Sequence, residues 1–239
     1  MRIEIEPDDG AVGVYAAGVI CDTVCAKPDS VLGLPTGSSP LSTYAELERR
    51  ASAAIADFSR ATVYAVDEFA GATATTAGTN SLFFAEHLRV RFRALHCPDS
   101  GATDPDAVMR AFAEGIRRDG GIDLCVLGIG VNGHIAFNEP GAGRDSRARV
   151  VPLMQASREA HASAFGSLER VPLRGMTLGV ADLLEARSIL MIAQGPHKAR
   201  IVRAALEGPV SAEVPASWLR DHRDVTWLFD AAAAALLRT

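Results

Sequence analysis

Apolar runs and amphipathic stretches alternate along almost the whole chain. Residues 2–6 place charges and apolar side chains at every second position, the period of a strand, and residues 8–26 follow with the spacing of a helix. Residues 31–34 form a short apolar run, 41–54 a helical pattern, and 62–66 another strand. Helices are expected at 80–92 and 104–118, and the run 122–127 has the near-continuous apolar character of a strand buried on both faces. Further on, 149–153 reads as a short strand and 155–167 as a polar, weakly patterned helix. Strands at 176–178, 188–193 and 225–229 alternate with helices at 197–206 and 230–238. Such alternation implies βαβ crossovers and an α/β fold, with a three-layer, mostly parallel sheet carrying helices on both faces. With no repeat, low-complexity tract or long linker, residues 1–239 are expected to form one domain.

Composition narrows the function classes. The 239 residues are 48% hydrophobic and carry a formal net charge of −5, so no basic face is available for nucleic acid. The start lacks a signal-peptide pattern and no apolar stretch runs uninterrupted to membrane-spanning length, which points to a cytoplasmic protein without a membrane partner. Cys21 and Cys25 stand one helical turn apart with no second pair at ligand spacing. They are expected to be small buried hydrophobes in a reducing compartment, and no metal site is expected. Basic residues are nearly all arginine; the lysines are Lys27 and Lys198, which draws attention to Lys198.

Three strands end in loops with unusual chemistry. After 31–34 comes Pro35-Thr36-Gly37-Ser38-Ser39-Pro40, where freed backbone N–H groups, hydroxyls and a helix N-terminus combine into an anion site. It lacks the Gly-Lys-Ser/Thr ending of a nucleotide-binding P-loop, and the serines could alternatively serve as helix caps. After 62–66 come Asp67 and Glu68, adjacent acids that point to opposite sides, so one faces a cleft as a candidate general base. An alternative is a helix cap or an arginine partner. After 122–127 comes the glycine-rich segment Gly128-Ile129-Gly130-Val131-Asn132-Gly133-His134, with Glu139 five residues beyond the histidine. In open α/β sheets, ligands bind at the carboxyl ends of strands, where all three loops fall.

The segments 32–40, 66–69 and 128–140, with Met176-Thr177-Leu178-Gly179-Val180 and Gly195-Pro196-His197-Lys198-Ala199, resemble the glucosamine-6-phosphate deaminase family in order and spacing over essentially the whole chain. The run His134-Ile135-Ala136-Phe137-Asn138-Glu139-Pro140 is its most specific part, since the related 6-phosphogluconolactonases share the Gly-x-Gly loop and histidine but not the Phe-Asn-Glu-Pro ending. The resemblance implies a Rossmann-like sheet with a mobile helical lid at about 153–176. The implied enzyme is a hydrolase, deaminase and isomerase that converts an amino-sugar phosphate to a ketose phosphate and ammonia, with no metal or cofactor. Asp67 would move a proton between C2 and C1. His134 would open the ring, oriented by Glu139 and Asn132. Thr36, Gly37, Ser38, Ser39 and Lys198 would hold the phosphate. The only implied partner is the small-molecule substrate, bound by a monomer or small homo-oligomer.

This chain departs from the family at several places. Position 132 is Asn where many members have Asp. The stretch 69–82 is a substitute for the family's loop built largely of small residues, and it lacks the usual aromatic hydroxyls. Ser163 stands where the family lid carries a phosphate-binding arginine, leaving Arg158, Arg170 and Arg174 as possible replacements. Val151 and Pro152 occupy positions used by larger members for allosteric control, although Arg149 fits, and the chain stops soon after its last helix, so that regulation is not expected. Other readings are a galactosamine 6-phosphate or specialised-metabolism amino-sugar deaminase, a lactone hydrolase, and a sugar-phosphate sensor. The sensor would leave Asp67, His134 and Glu139 without a task and has no helix-turn-helix before it.

Overall fold

The computed structural model describes residues 1–238. Its strands are, in chain order, β1 Arg2–Glu6, β2 Val31–Leu34, β3 Thr62–Ala65, β4 Asp67–Ala70, β5 Ala94–His96, β6 Leu124–Gly128, β7 Arg149–Pro152, β8 Arg174–Thr177, β9 Ser188–Ala193 and β10 Val225–Asp230. The helices are α1 Asp9–Ala26, α2 Leu41–Ser52, α3 Asn80–His87, α4 Pro105–Arg118, α5 Gln155–Phe165, α6 Val180–Leu184, α7 Ala199–Glu207 and α8 Ala231–Ala234. Seven strands pair in parallel in the order β1-β10-β9-β6-β2-β3-β5. The chain winds outward from β2 through β3 to β5, then returns to β2's other side with β6 and winds outward again through β9 and β10. A crevice therefore opens at the carboxyl ends of β2 and β6, where the winding reverses.

Side-chain alternation separates two cores across this sheet. Leu32, Leu34, Leu124, Val126, Leu190, Ile192 and Leu228 pack on the side of α1 and α2. Their neighbours Val31, Cys125, Leu127, Ile189, Met191, Trp227 and Phe229 pack on the opposite side, against α4 and α7. Because the side-chain period is two, a one-residue slip would exchange every member of these sets, and so the register is strongly specified. α1 is long and apolar enough to cross a membrane by length and composition, with a mean hydropathy of 1.3. Here its stripe Val12, Ala16, Ala17, Ile20, Cys21 and Val24 is buried on the sheet. Cys25, on the same helix, is exposed and does not share the core position expected for it.

The departures from sequence expectation cluster around a second, antiparallel sheet, β4-β8-β7. β3 ends at Ala65, and Asp67-Glu68-Phe69-Ala70 is a separate strand paired with β8. Two acids hide its pattern, because each is buried with partners of its own rather than facing water. α3 stops at His87, five residues early, and the chain then adds β5 to the sheet edge, with Arg93 N–H donating to the carbonyl of Ala61 at 2.9 Å. α8 is a single turn, with Asp230 accepting from the Ala233 N–H at 2.7 Å. Over the small sheet, Phe69, Phe137, Val151, Leu153, Phe165 and Val171 form a third core that seats α5. Its centre is Phe69, edge-on to Phe165 at 4.8 Å and to Phe137 at 5.0 Å.

Candidate active site

Thr36, Gly37, Ser38, Ser39, Asp67, His134 and Lys198 line one cavity of about 590 Å³ at the β2/β6 crevice. α5 closes one side with Ser157, His161 and Ser163. Asn132 and Glu139 stand behind His134 and do not line the cavity.

The loop after β2 is held at its base by Tyr44, whose hydroxyl donates to the carbonyl of Pro35 at 2.5 Å. α2 begins without a side-chain cap, so neither serine serves as one. Among the described residues the Ser38 and Ser39 hydroxyls make no hydrogen bond, and with the uncapped helix N-terminus they leave donors free for an anion. The Thr36 hydroxyl is engaged, donating to Oδ1 of Asn80 at 2.7 Å.

The β6 loop aims the histidine. Any side chain at residue 130 would collide with the His134 ring, so glycine there lets the imidazole lie against the backbone. Gly133 has φ +92, in the left-handed region. Ala136 also lies there at φ 47, an unusual place for a residue with a Cβ and a mark of local strain beside the site. Asn138, fully buried, pins the loop through its amide to the carbonyls of Ile135 at 3.0 Å and Leu178 at 2.8 Å.

His134 Nδ1 faces Oγ of Ser157 at 3.1 Å and Oε2 of Glu139 at 3.4 Å, which leaves Nε2 for a ligand. Asn132 does not touch the ring. Its amide donates to Glu139 Oε2 at 2.9 Å, and its Oδ1 accepts the backbone N–H of His134 at 3.2 Å. The backbone N–H of Met154 completes the carboxylate by donating to Oε1 at 3.1 Å. Burial pushes the Glu139 carboxyl up, but hydrogen bonds from His134, Ser157 and Asn132 and the electrostatic pull of His134 together outweigh it and hold the group at about 2. A carboxylate so placed fixes the tautomer and the orientation of the histidine.

Asp67 has the opposite environment. Burial first, and then the nearby Glu68 charge, push it up to about 8, against the hydrogen bond from Asn80. Glu68 faces away from the cavity and is fully buried. Its carboxylate accepts the N–H groups of Phe69 at 2.7 Å, Asn80 at 2.9 Å and Ser81 at 2.8 Å, the last two at the start of α3. The alternation expected from sequence holds: one acid faces the cleft and its neighbour caps a helix.

Lys198 follows Gly195, whose N–H is anchored on Asp230 at 2.8 Å. Its ammonium donates to the carbonyl of Ile129 at 2.6 Å, and burial lowers its pKa. Among the described residues no arginine lines the cavity. Arg158 is turned into the α5 segment, donating to the Leu168 carbonyl at 2.9 Å. Arg170 borders a separate hollow with Phe165, Thr73 and Thr76, and Arg174 is exposed on β8. Lys198 is thus the cavity's one strongly basic side chain among the described residues. No three His, Cys, Asp or Glu side chains among the described residues gather as a metal site.

Sequence reasoning missed Asn80, Ser157 and His161. Asn80 reads as an ordinary helix start, and the helix carrying the other two has no clear apolar stripe. Only packing brings them to the cavity.

The model of the family described as glucosamine-6-phosphate isomerases/6-phosphogluconolactonase matches residues 13–227. The glucosamine-6-phosphate deaminase of Rhodopirellula baltica is 40% identical over 247 residues, spanning 99% of this chain and 96% of its own. A solved monomeric glucosamine-6-phosphate deaminase superposes with a TM-score of 0.96 at 35% identity, covering 99% of this chain and all of that one. A 6-phosphogluconolactonase from Shewanella baltica reaches a TM-score of 0.77 at 18% identity over 97% of this chain and 98% of its own, a likeness of fold alone. These findings correct one expectation. The label hydrolase is withdrawn, because the full-length relatives are named deaminases and the hydrolytic lactonases share only the fold. The chain belongs to the glucosamine-6-phosphate isomerase/6-phosphogluconolactonase family, among its glucosamine-6-phosphate deaminases.

Proposed function

We propose that the protein converts glucosamine 6-phosphate to fructose 6-phosphate and ammonia. The observation that carries this reading is one cavity holding a carboxyl pushed up to about 8 and a histidine backed by a carboxylate held at about 2. Two acid–base groups on the walls of one cavity, each held by its own partners, suit two different proton transfers. His134, through Nε2, serves the ring oxygen as the pyranose opens. Asp67 takes the C2 proton and returns it to C1, leaving an imine at C2; water adds there, its oxygen becomes the ketone, and the C2–N bond breaks to release ammonia. A buried carboxylate near the assay pH is a strong base for a carbon acid, since an acid–base catalyst works best with its pKa close to the operating pH.

The phosphate sits on the backbone of Gly37, the hydroxyls of Ser38 and Ser39, and Lys198, at the start of α2. Asn132 and Glu139 orient His134. Residues 1–239 act as one domain with a lid at about 153–176, in a cytoplasmic monomer or small homo-oligomer. The monomeric state of the solved deaminase it resembles supports the smaller assembly.

A screen for ammonia release across amino sugars, with and without a 6-phosphate, tests the reading. Turnover should be fastest with glucosamine 6-phosphate. A preference for galactosamine 6-phosphate would reassign the sugar, and equal turnover of the unphosphorylated sugars would overturn the phosphate site. His134→Gln should slow the cyclic substrate more than an open-chain analogue, whereas an equal loss on both would move the histidine to a later step.

A further inference from the structure

Among the described residues, one of the two Asp67 carboxylate oxygens is engaged. Nδ2 of Asn80 donates to Oδ1 at 2.6 Å and to the backbone carbonyl of Asp67 at 2.9 Å. Among the described residues Oδ2 receives no hydrogen bond. The amide of Asn80 is gripped from its other end, where Oδ1 accepts the Thr36 hydroxyl at 2.7 Å. A backbone carbonyl can only accept, so the amide nitrogen must face Asp67 and the amide oxygen must face Thr36. The main chain of Asn80 is fixed as well, through its N–H on Glu68 Oε1 at 2.9 Å. Asn80 is 3% exposed, so the clamp works out of water, where a hydrogen bond to a carboxylate is strongest.

We infer that Thr36 and Asn80 form a positioning relay for the base: Asn80 clamps Oδ1 of Asp67, leaving Oδ2 as the oxygen that carries the proton from C2 to C1, and Thr36 keeps the amide turned the right way. The inference rests on the reading of Asp67 as the base of a deaminase. It also separates Thr36 from the phosphate ligands. Its hydroxyl proton is committed to Asn80, whereas Ser38 and Ser39 keep theirs free. The loop that binds the phosphate thereby holds the base through two hydrogen bonds.

The groups facing Asp67 are Glu68 beside it, Tyr44 from α2, Cys97 just beyond β5, and His134 and Lys198 on the walls of the same cavity. Of the contacts that shift Asp67, the Asn80 amide is the one that favours the ionised form. Removing it should therefore move the acid limb of the pH profile upward.

Asn80→Leu, which keeps the volume and loses the amide, should lower kcat by about ten- to a hundredfold, the range for one hydrogen bond to a charged group. KM should change little and the acid limb of kcat/KM should move to higher pH. Thr36→Val should do the same to a smaller degree, Thr36→Ser should restore function, and the double variant should be no worse than Asn80→Leu alone, since the two act in series. A rise in KM at unchanged kcat for Thr36→Val would make Thr36 a phosphate ligand and overturn the relay, as would additive losses in the double variant. Should Asn80→Leu fail to fold, Thr36→Val and Thr36→Ser decide the matter alone. Titration of Asp67 followed by carboxyl-carbon NMR in the ligand-free protein separates the two claims. An upward shift in Thr36→Val upholds the clamp even if the wild type releases no ammonia, and an unmoved titration refutes it. Full activity of Asp67→Asn would sink the reading of Asp67 as the base, leaving the clamp to that titration.

Discussion

Asp67 is held in a state that costs stability. The folded protein retains a proton there up to about pH 8, whereas an unfolded aspartate loses it near pH 4. Between those values the native state binds more protons than the unfolded chain, so stability falls as pH rises through the window. Asp67→Asn removes the ionisation but keeps the shape. It should abolish ammonia release and, in melting curves at about pH 5 and about pH 9, should gain stability over the wild type at the higher pH. An unchanged Tm difference at the two pH values would show that Asp67 titrates normally. Ser163 and Lys198 set the second prediction at this scale. With no arginine on the cavity wall among the described residues, Lys198→Ala should raise KM about tenfold or more, the loss of one charge-assisted phosphate contact. Ser163 lines the cavity, so Ser163→Arg should lower KM with little change in kcat, the pattern of added uniform binding. An unmoved KM in Lys198→Ala would place the phosphate elsewhere.

At the level of elements, α5 is tied to the site from two sides. Ser157 reaches His134, and the N–H of Met154, just before the helix, reaches Glu139. Beneath it, Phe69, Phe137 and Phe165 hold the helix on the small sheet through edge-to-face contacts. Phe165→Ala should therefore cost about 3–5 kcal/mol where the helix docks. Most of the damage should be local: amides of residues 155–165 should exchange faster while those of the parallel sheet stay protected. Uniformly faster exchange through both sheets would mean that α5 is part of the global core rather than a separately opening lid.

For the whole molecule, the two carboxyls confer opposite pH responses. Glu139, held at about 2, stays ionised throughout the neutral range, and the stability it contributes is lost only as pH falls below its ordinary value of about 4.3 toward 2. Asp67 must be ionised to act as a base, so kcat/KM should climb with pH and level off above about 8. A kcat/KM profile already flat from about pH 6 upward would mean that Asp67 ionises lower in the free enzyme or that another group is the base.

The chain itself determined much of this. The two alternating periods specify the parallel sheet and its helices, because burial on both faces needs apolar runs that can be read directly. The loop residues 36–39 and the His134/Glu139 segment are legible because glycines and prolines mark strand ends, where an α/β sheet places its ligands, whereas choosing Asp67 over Glu68 and assigning Lys198 to the phosphate rest on the family resemblance. Tertiary structure alone decided the rest. Asp67-Glu68-Phe69-Ala70 becomes a strand because β8 supplies its ladder and α3 supplies donors for Glu68, and neither partner is near in sequence. Asn80, thirteen residues from Asp67, becomes its hydrogen-bond partner only when α3 is docked. Arg158, Arg170 and Arg174 lie at plausible positions in the sequence, yet the first is turned onto the carbonyl of Leu168, the second borders another hollow and the third is exposed. A long side chain can satisfy its charge in many directions, and its direction depends on packing rather than spacing.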